Sequence, residues 1–176
     1  MSRKLILYIA TSLDGYIAKP NDDLSFLDIV SKEGEDYGYE GFTNTIDTVI
    51  LGRKTYDWVM EQVPEFPHAD KNAYIITRTH KEPIGKTVFY TESLKDLVLQ
   101  LKSQEGKHIF CDGGAEIVNI LLKDNLIDEI ILSIIPILVG DGIKLFQSGR
   151  PEQKMHLIST KTFDTGLVQL HYSCLP

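Results

Sequence analysis

Three short groups of residues combine positive charge or backbone freedom with a place directly at the end of an apolar run. The first is Gly52-Arg53-Lys54-Thr55, after the run 48–51. Two cations in the opening turn of a helix oppose its dipole, at about 0.3–1 kcal/mol each. A bound anion offsets that cost, and free helix N–H groups add to such a site. Two solvated cations at a frayed helix start are the alternative reading. The second group is Thr77-Arg78-Thr79 with His80 and Lys81, closing and following the run 73–77. A ribose 2′-hydroxyl is usually met by a carboxylate near a strand end, whereas a 2′-phosphate asks for arginine and hydroxyl donors. The basic group points to NADP(H) rather than NAD(H), with a basic surface loop as the alternative. The third is Asp112-Gly113-Gly114-Ala115, between the run 108–111 and an apolar helical segment. Paired glycines let backbone N–H groups approach a phosphate closely, although a tight turn needs no ligand. Ligands of open α/β sheets bind outside the carboxyl ends of the strands, where all three groups fall.

The elements that must position these groups follow from the apolar pattern. Runs at 4–10, 48–51, 73–77, 87–90, 108–111 and 129–135 are short, continuous and rich in β-branched residues, as expected of strands buried on both faces. Between them Leu94, Leu97, Val98 and Leu101 form one helical stripe with Ser93 as N-cap, and 117–122 is an apolar helix expected to be well buried. Residues 55–62 and 35–45 are two further expected helices. Val168, Leu170 and Tyr172 alternate with polar residues, so 154–162 and 168–172 are predicted to form a hairpin about Asp164-Thr165-Gly166. The prediction is an α/β fold in three layers, with a mixed, mostly parallel sheet ending in an antiparallel hairpin. No composition shift marks a boundary, so residues 1–176 are read as a single domain.

The chain has 176 residues and a formal net charge of −7, from 25 acidic and 18 basic residues. That balance excludes general nucleic-acid binding and attraction to anionic membranes. Acidic residues are expected over the surface generally, and cations at the strand ends. Cys111 and Cys174 form no CxxC pair and are read as free thiols. The five histidines show no metal-ligand spacing, and neither a GxSxG elbow nor a Walker A loop occurs. The run 5–10 is too short for a signal-peptide core, and no stretch approaches the roughly 20 apolar residues of a membrane span. A cytoplasmic location is the expectation.

Four motifs then stand in order: Ser12-Leu13-Asp14-Gly15-Tyr16-Ile17-Ala18; Leu51-Gly52-Arg53-Lys54-Thr55-Tyr56; Asp112-Gly113-Gly114; and Pro136-Ile137-Leu138-Val139-Gly140-Asp141-Gly142 with Leu145-Phe146. With them the chain resembles the dihydrofolate reductase-like superfamily over nearly its whole length. Within that superfamily it is most similar to the reductase domain of the bifunctional riboflavin-biosynthesis deaminase–reductase and its stand-alone homologues. The resemblance implies a sheet of about eight strands, and NADPH-dependent reduction of a pterin- or pyrimidine-type heterocycle, or of an opened sugar, by hydride transfer. It implies that Ala10 and Ile17 touch the nicotinamide half, and that Gly52, Arg53, Lys54 and Thr55 hold phosphates, with Arg53 near the 2′-phosphate and Thr55 near the pyrophosphate. Thr77 and Arg78 would lie at the adenosine end, and Gly113, Gly114, Ala115 and Glu116 under the pyrophosphate.

The substrate, a small molecule, is placed between the loop 12–28 and the helix 35–45, with Phe26, Tyr56 and Trp58 as candidate lining. Dihydrofolate reductases carry a proton-supplying carboxylate in the helix before the G-R-x-T motif. Asp36 is the nearest candidate here, with Glu40 one turn on and a solvated acidic face as the alternative for both. Tyr16 stands where the riboflavin reductase is often basic, and that enzyme's deaminase domain is not expected here. Asp14 is read as shaping the Asp-Gly turn rather than taking part in chemistry. A non-catalytic NADPH- or ligand-binding protein of the same fold is the competing function. An interaction module without a cofactor leaves Arg53 and Lys54 unexplained. The riboflavin-type relatives also imply a homodimer, and the apolar region 130–139 and the terminal hairpin are the candidate contacts in the sequence.

Overall fold

A computed structural model describes residues 2–175. Its core is an eight-stranded sheet around β1 (Leu5–Ser12), whose side chains divide between two faces. Leu5, Leu7 and Ile9 enter one hydrophobic cluster, while Ile6, Tyr8 and Ala10 point to the other side. A strand covered on both faces needs no polar alternation, which is why its sequence is a continuous apolar run. β1 pairs in parallel with β6 (His108–Gly113) on one side and β7 (Glu129–Ile135) on the other. Beyond β6 lie β3 (Ile46–Gly52), β4 (Asn72–Ile76) and β5 (Thr87–Tyr90), all parallel. Beyond β7 come β10 (Val168–Cys174) and β9 (Met155–Thr162), each antiparallel to its neighbour, giving the order β5-β4-β3-β6-β1-β7-β10-β9. The predicted α/β fold with a mixed sheet and a closing hairpin is what the chain adopts. The hairpin turns through Phe163–Leu167, where the Phe163 N–H donates to the Leu167 carbonyl at 3.0 Å.

One face of the sheet carries α3 (Leu94–Ser103) and α4 (Ala115–Lys123); Leu97, Val98, Val118 and Leu121 pack there against Leu5, Leu7 and Ile109. Ser93 caps α3 as expected, its side chain accepting from the Asp96 N–H. Ile120 leaves α4 41% exposed at one position, so that helix is apolar all round but buried on one side only. The opposite face carries α2 (Arg53–Gln62), the short α1 (Tyr39–Thr43) and a 3-10 turn at Ser25–Val30. α2 begins at Arg53 rather than at residue 55, with Gly52 in the N-cap position.

The helix expected over 35–45 is reduced to the five residues of α1. Gly34 and Gly38 take φ of 78° and 84°, and Tyr37 takes 56°, a left-handed conformation that no α-helix accommodates. Residues 31–38 instead form a strap across the sheet. Tyr37 is held in its strained conformation by its own hydroxyl, which reaches the Val30 carbonyl at 2.5 Å and Thr165 Oγ1 at 2.8 Å.

A second, two-stranded sheet had no signal in the sequence. β2 (Tyr16–Ala18) pairs antiparallel with β8 (Ile143–Lys144), tying the loop after β1 to the loop after β7. Its strands are three and two residues long, too short for any periodicity to register.

Candidate active site

The carboxyl ends of β1, β3, β4 and β6 open on one edge of the sheet, and the three groups singled out in the sequence all lie there. Thr55 and Gly114 join two of them: the Gly114 N–H donates to Thr55 Oγ1 at 3.1 Å, which stitches the start of α4 to the start of α2. The fit is close enough to require glycine. A Cβ on Gly52 would meet Ile117 Cγ1 at 3.2 Å, and Gly113 sits at φ 106°. Two helix N-termini with free N–H groups are thereby brought side by side, the arrangement that favours a bound anion.

Arg53 and Lys54 are the first two residues of α2. Arg53 Nε donates to both carboxylate oxygens of Asp57, at 2.7 and 2.9 Å, one helical turn on. An exposed pair of this kind is worth about 0.3–0.5 kcal/mol, so Asp57 answers part of the dipole cost that two leading cations incur. Its bonds use Nε alone, and the guanidinium also rests 5.3 Å from the centroid of Phe89, with the Lys81 ammonium over the same ring at 4.7 Å. Thr77 Oγ1 accepts the Thr79 N–H at 3.1 Å, fixing the turn that presents Arg78. Arg78 is almost fully exposed, 4.0 Å from Glu116. Glu116 is therefore able to offer an anion only its backbone N–H, and Ala115 beside it is buried as the first residue of α4. Ala10 packs towards the strap, whereas Ile17, on β2, packs against the opposite cluster. An anionic dinucleotide fits this edge: cations stand at one end, and a cradle of glycine and helix N–H groups at its centre.

Next to the cradle, on the strap side of the sheet, is a constellation missed in the sequence. In the sequence Asp112 stands out only as the opening residue of the glycine turn. Its carboxylate faces the same side as Phe110, 3.8 Å from His68 Nε2. No hydrogen bond reaches it from another of the described residues. Its side chain keeps 27% of its surface open although protein surrounds it, the signature of a group on the floor of a cleft. Burial raises its pKa from 3.8 to about 6. His68, on the loop between α2 and β4, is buried between the edges of Phe66 and Phe110, at 5.6 and 5.7 Å. Burial pushes its pKa down, helped by the Lys71 charge. Tyr39 Oη lies 3.4 Å from His68 Nε2, and its own pKa is raised by burial and then by Asp112.

Tyr8 completes the wall, its ring 5.6 Å from that of Tyr39. Its hydroxyl donates to the Tyr37 carbonyl at 3.0 Å and lies 3.1 Å from Gln169 Nε2. Gln169 and Ser133, both buried, extend this polar strip onto β10 and β7. One signal was available: a carboxylate at an inward position of an apolar strand, two residues after Phe110, breaks the pattern of β6.

The structure gives Asp36 a different task from the one expected. It is exposed, and its two oxygens accept the backbone N–H groups of Gly38 and Glu40 at 2.9 and 2.8 Å, capping α1. Those bonds hold its pKa below the usual 3.8, so it stays ionised where a proton donor must be protonated. Phe26 and Tyr56, expected to line the pocket, are core residues at 1% and 6% exposure, because each faces the sheet. Trp58 is half-buried. Asp14 holds two loops together: its Oδ1 accepts from Ser12 Oγ at 2.5 Å and the Val139 N–H at 3.1 Å, and its Oδ2 from the Gly140 N–H at 2.8 Å. Cys111 is a buried free thiol whose pKa is pushed up to about 12, and so is chemically inert.

Known proteins share this architecture. Residues 3–169 match the RibD C-terminal domain family. An uncharacterized protein of Bacillus subtilis (strain 168), YwjB, is 44% identical over 173 residues, covering 98% of each chain. A putative riboflavin biosynthesis protein from Shewanella sp. PV-4 superposes with a TM-score of 0.89 at 29% identity, with all of both chains covered. Dihydrofolate reductase from Enterococcus faecalis, complexed with NADP(H), covers both chains fully at a TM-score of 0.65 and 15% identity, a likeness of fold. On its matched length and its shared architecture, this chain belongs to the RibD C-terminal domain family, built on the dihydrofolate reductase-like fold.

Proposed function

We propose that the protein is an NADPH-dependent reductase of a pterin- or pyrimidine-type heterocycle. The observation that carries this reading is the adjacency of two half-sites: the stitched N-termini of α2 and α4 with Arg53 and Arg78, and the cleft floored by Asp112. Bound NADPH supplies a hydride; the chain must orient the partners, exclude water and supply a proton. Gly52, Arg53, Lys54, Thr55, Thr77 and Arg78 would hold the phosphates and the adenosine end, with the N–H groups of Gly113, Gly114, Ala115 and Glu116 beneath the pyrophosphate. Ala10 and Ile17 would flank the reacting half. Asp112, rather than Asp36, would hold the proton, since a pKa of about 6 keeps an appreciable protonated fraction near neutral pH. His68 Nε2 stands 3.8 Å from Asp112 Oδ2, with Tyr39 beyond His68.

The test is consumption of NADPH in the presence of dihydrofolate, of an unconjugated dihydropterin, and of the ribosylamino-pyrimidine of riboflavin synthesis with and without its 5′-phosphate. Turnover of a heterocycle is the expected result. Binding of NADPH without turnover of any such substrate would favour the competing reading, a ligand-binding protein of this fold. Absence of NADPH binding would overturn both.

The homodimer implied by the resemblance attaches in this proposal to β9. All eight of its residues are exposed, including Met155, Leu157 and Ile158. An edge strand this long and this weakly charged invites a partner, and two copies pairing about a two-fold axis would satisfy both edges at once.

A further inference from the structure

Charge is divided across the cleft, and the division bears on what the reductase site described above can accept. The cations that face the edge of the sheet, Arg53, Lys54, Arg78 and Lys81, lie on α2 and on the turn after β4, beside the phosphate cradle. The other half is bounded by residues 20–43, which carry seven carboxylates and a single lysine, a formal −6 of the chain's −7. Residues 37–39 of this segment reach the substrate half. The Tyr37 carbonyl is bound by Tyr8 Oη and by Gln169 Nε2 at 3.1 Å, and Tyr39 packs against Tyr8, Phe110 and His68.

A second, independent observation comes from the cleft floor. Asp112 lies open to the cleft with no hydrogen bond from another described residue, and its nearest ionisable neighbour, His68, is held towards its neutral form by burial. The negative charge acts inward as well: Asp112 bears on the Tyr39 hydroxyl, and Asp36 on that of Tyr8. The lysines on or beside the strap are already engaged. Lys32 binds Asp164 at 2.5 Å, Lys19 lies 2.9 Å from Ser25 Oγ and 3.8 Å from Asp23, and Lys71 binds Asp70 at 2.9 Å.

We propose that the substrate half of this cleft selects a neutral or cationic heterocycle that carries no phosphate, and that the acidic segment 20–43, which includes the strap, enforces the choice together with Asp112. A like charge brought into a cleft with low-dielectric walls meets a focused repulsive field, whereas the cofactor's phosphates are received on the cationic side. Rejection by repulsion, rather than by shape, is a common route to specificity. The proposal rests on the reading of this cleft as a reductase site, and it adds the charge class of the substrate.

Two matched pairs of ligands test it: 6-hydroxymethylpterin with its monophosphate, and a ribosylamino-uracil with its 5′-phosphate. Affinities are measured by calorimetry on the NADPH-saturated chain and on the chain alone. The unphosphorylated member of at least one pair is expected to bind tenfold or more tightly than its phosphate at low ionic strength. The gap should narrow as salt screens the strap. A triple variant, Asp28→Asn, Glu33→Gln and Glu40→Gln, removes carboxylates that make no side-chain hydrogen bond to the described residues, and should narrow the gap at low salt while leaving NADPH affinity unchanged.

Equal or tighter binding of the phosphates, failure of all four ligands to bind, or a gap indifferent to the triple variant would each overturn the proposal. Loss of NADPH binding with the ligand preference intact would overturn the reductase reading alone.

Discussion

At Asp112 a carboxylate is kept in a poor environment for its charge, and two consequences follow. If it holds the catalytic proton, the turnover rate falls as pH rises through about 6, and Asp112→Asn abolishes that limb of the pH–rate profile along with most of the activity. The same residue costs stability. Its folded pKa lies above its unfolded value of 3.8, so the folded state binds the proton more tightly and stability is lost as pH rises from near 3.8 through about 6. Asp112→Asn should therefore raise the unfolding free energy at pH 8 by roughly 1–3 kcal/mol, and by much less at pH 4, measured by urea denaturation at the two pH values. A gain that is independent of pH would assign the effect to packing instead.

At the scale of elements, the proposed cofactor half depends on how α2 and α4 are seated, and the proposed substrate half on the loops and the strap. Leu121 fixes α4 against β1 and β6 and is fully buried; Leu121→Ala should cost about 2–5 kcal/mol, seen as a lower denaturation midpoint. Asp14 couples the loop after β1 to the loop after β7 through two hydrogen bonds, from the Val139 and Gly140 N–H groups. Asp14→Ala is expected to leave the core intact while residues 136–142 become more susceptible to limited proteolysis. An unchanged cleavage pattern would show that β2 and β8 hold these loops on their own.

The strand ends were legible in the sequence because Gly52-Arg53-Lys54-Thr55 and Asp112-Gly113-Gly114 are contiguous, and each apolar run announces where it stops. The floor of the cleft was not, because Asp112, His68, Tyr39 and Tyr8 come from four separate segments that only the fold brings together. The surroundings of Asp36 were illegible for a related reason. Helical spacing placed it on one face with Glu40, but Gly34, Tyr37 and Gly38 break the helix there and turn its carboxylate into a cap.

Over the whole molecule, the net charge of −7 is not a general coating. Most of it is gathered on residues 20–43, a different segment from the one that carries Arg53, Lys54 and Arg78, so one small chain divides its charge unevenly. Among the described residues there is no helix long and apolar enough to cross a membrane. Nor do they contain any group of three or more His, Cys, Asp or Glu side chains placed to hold a metal ion. If β9 joins two copies, Ile158→Lys should yield a monomer of unchanged secondary structure in sedimentation, whereas a chain already monomeric without the substitution would remove that interface.

The central claim is that the cationic strand ends receive a 2′-phosphorylated dinucleotide. Equilibrium titration of the chain and of Arg53→Ala with NADPH and with NADH tests it most directly. The expected result is NADPH binding at least ~10-fold tighter than NADH, with Arg53→Ala removing most of the difference, since a charge-assisted bond to phosphate is worth about 1.5–3 kcal/mol. Binding of neither nucleotide, or equal loss of both on substitution of Arg53, would contradict it.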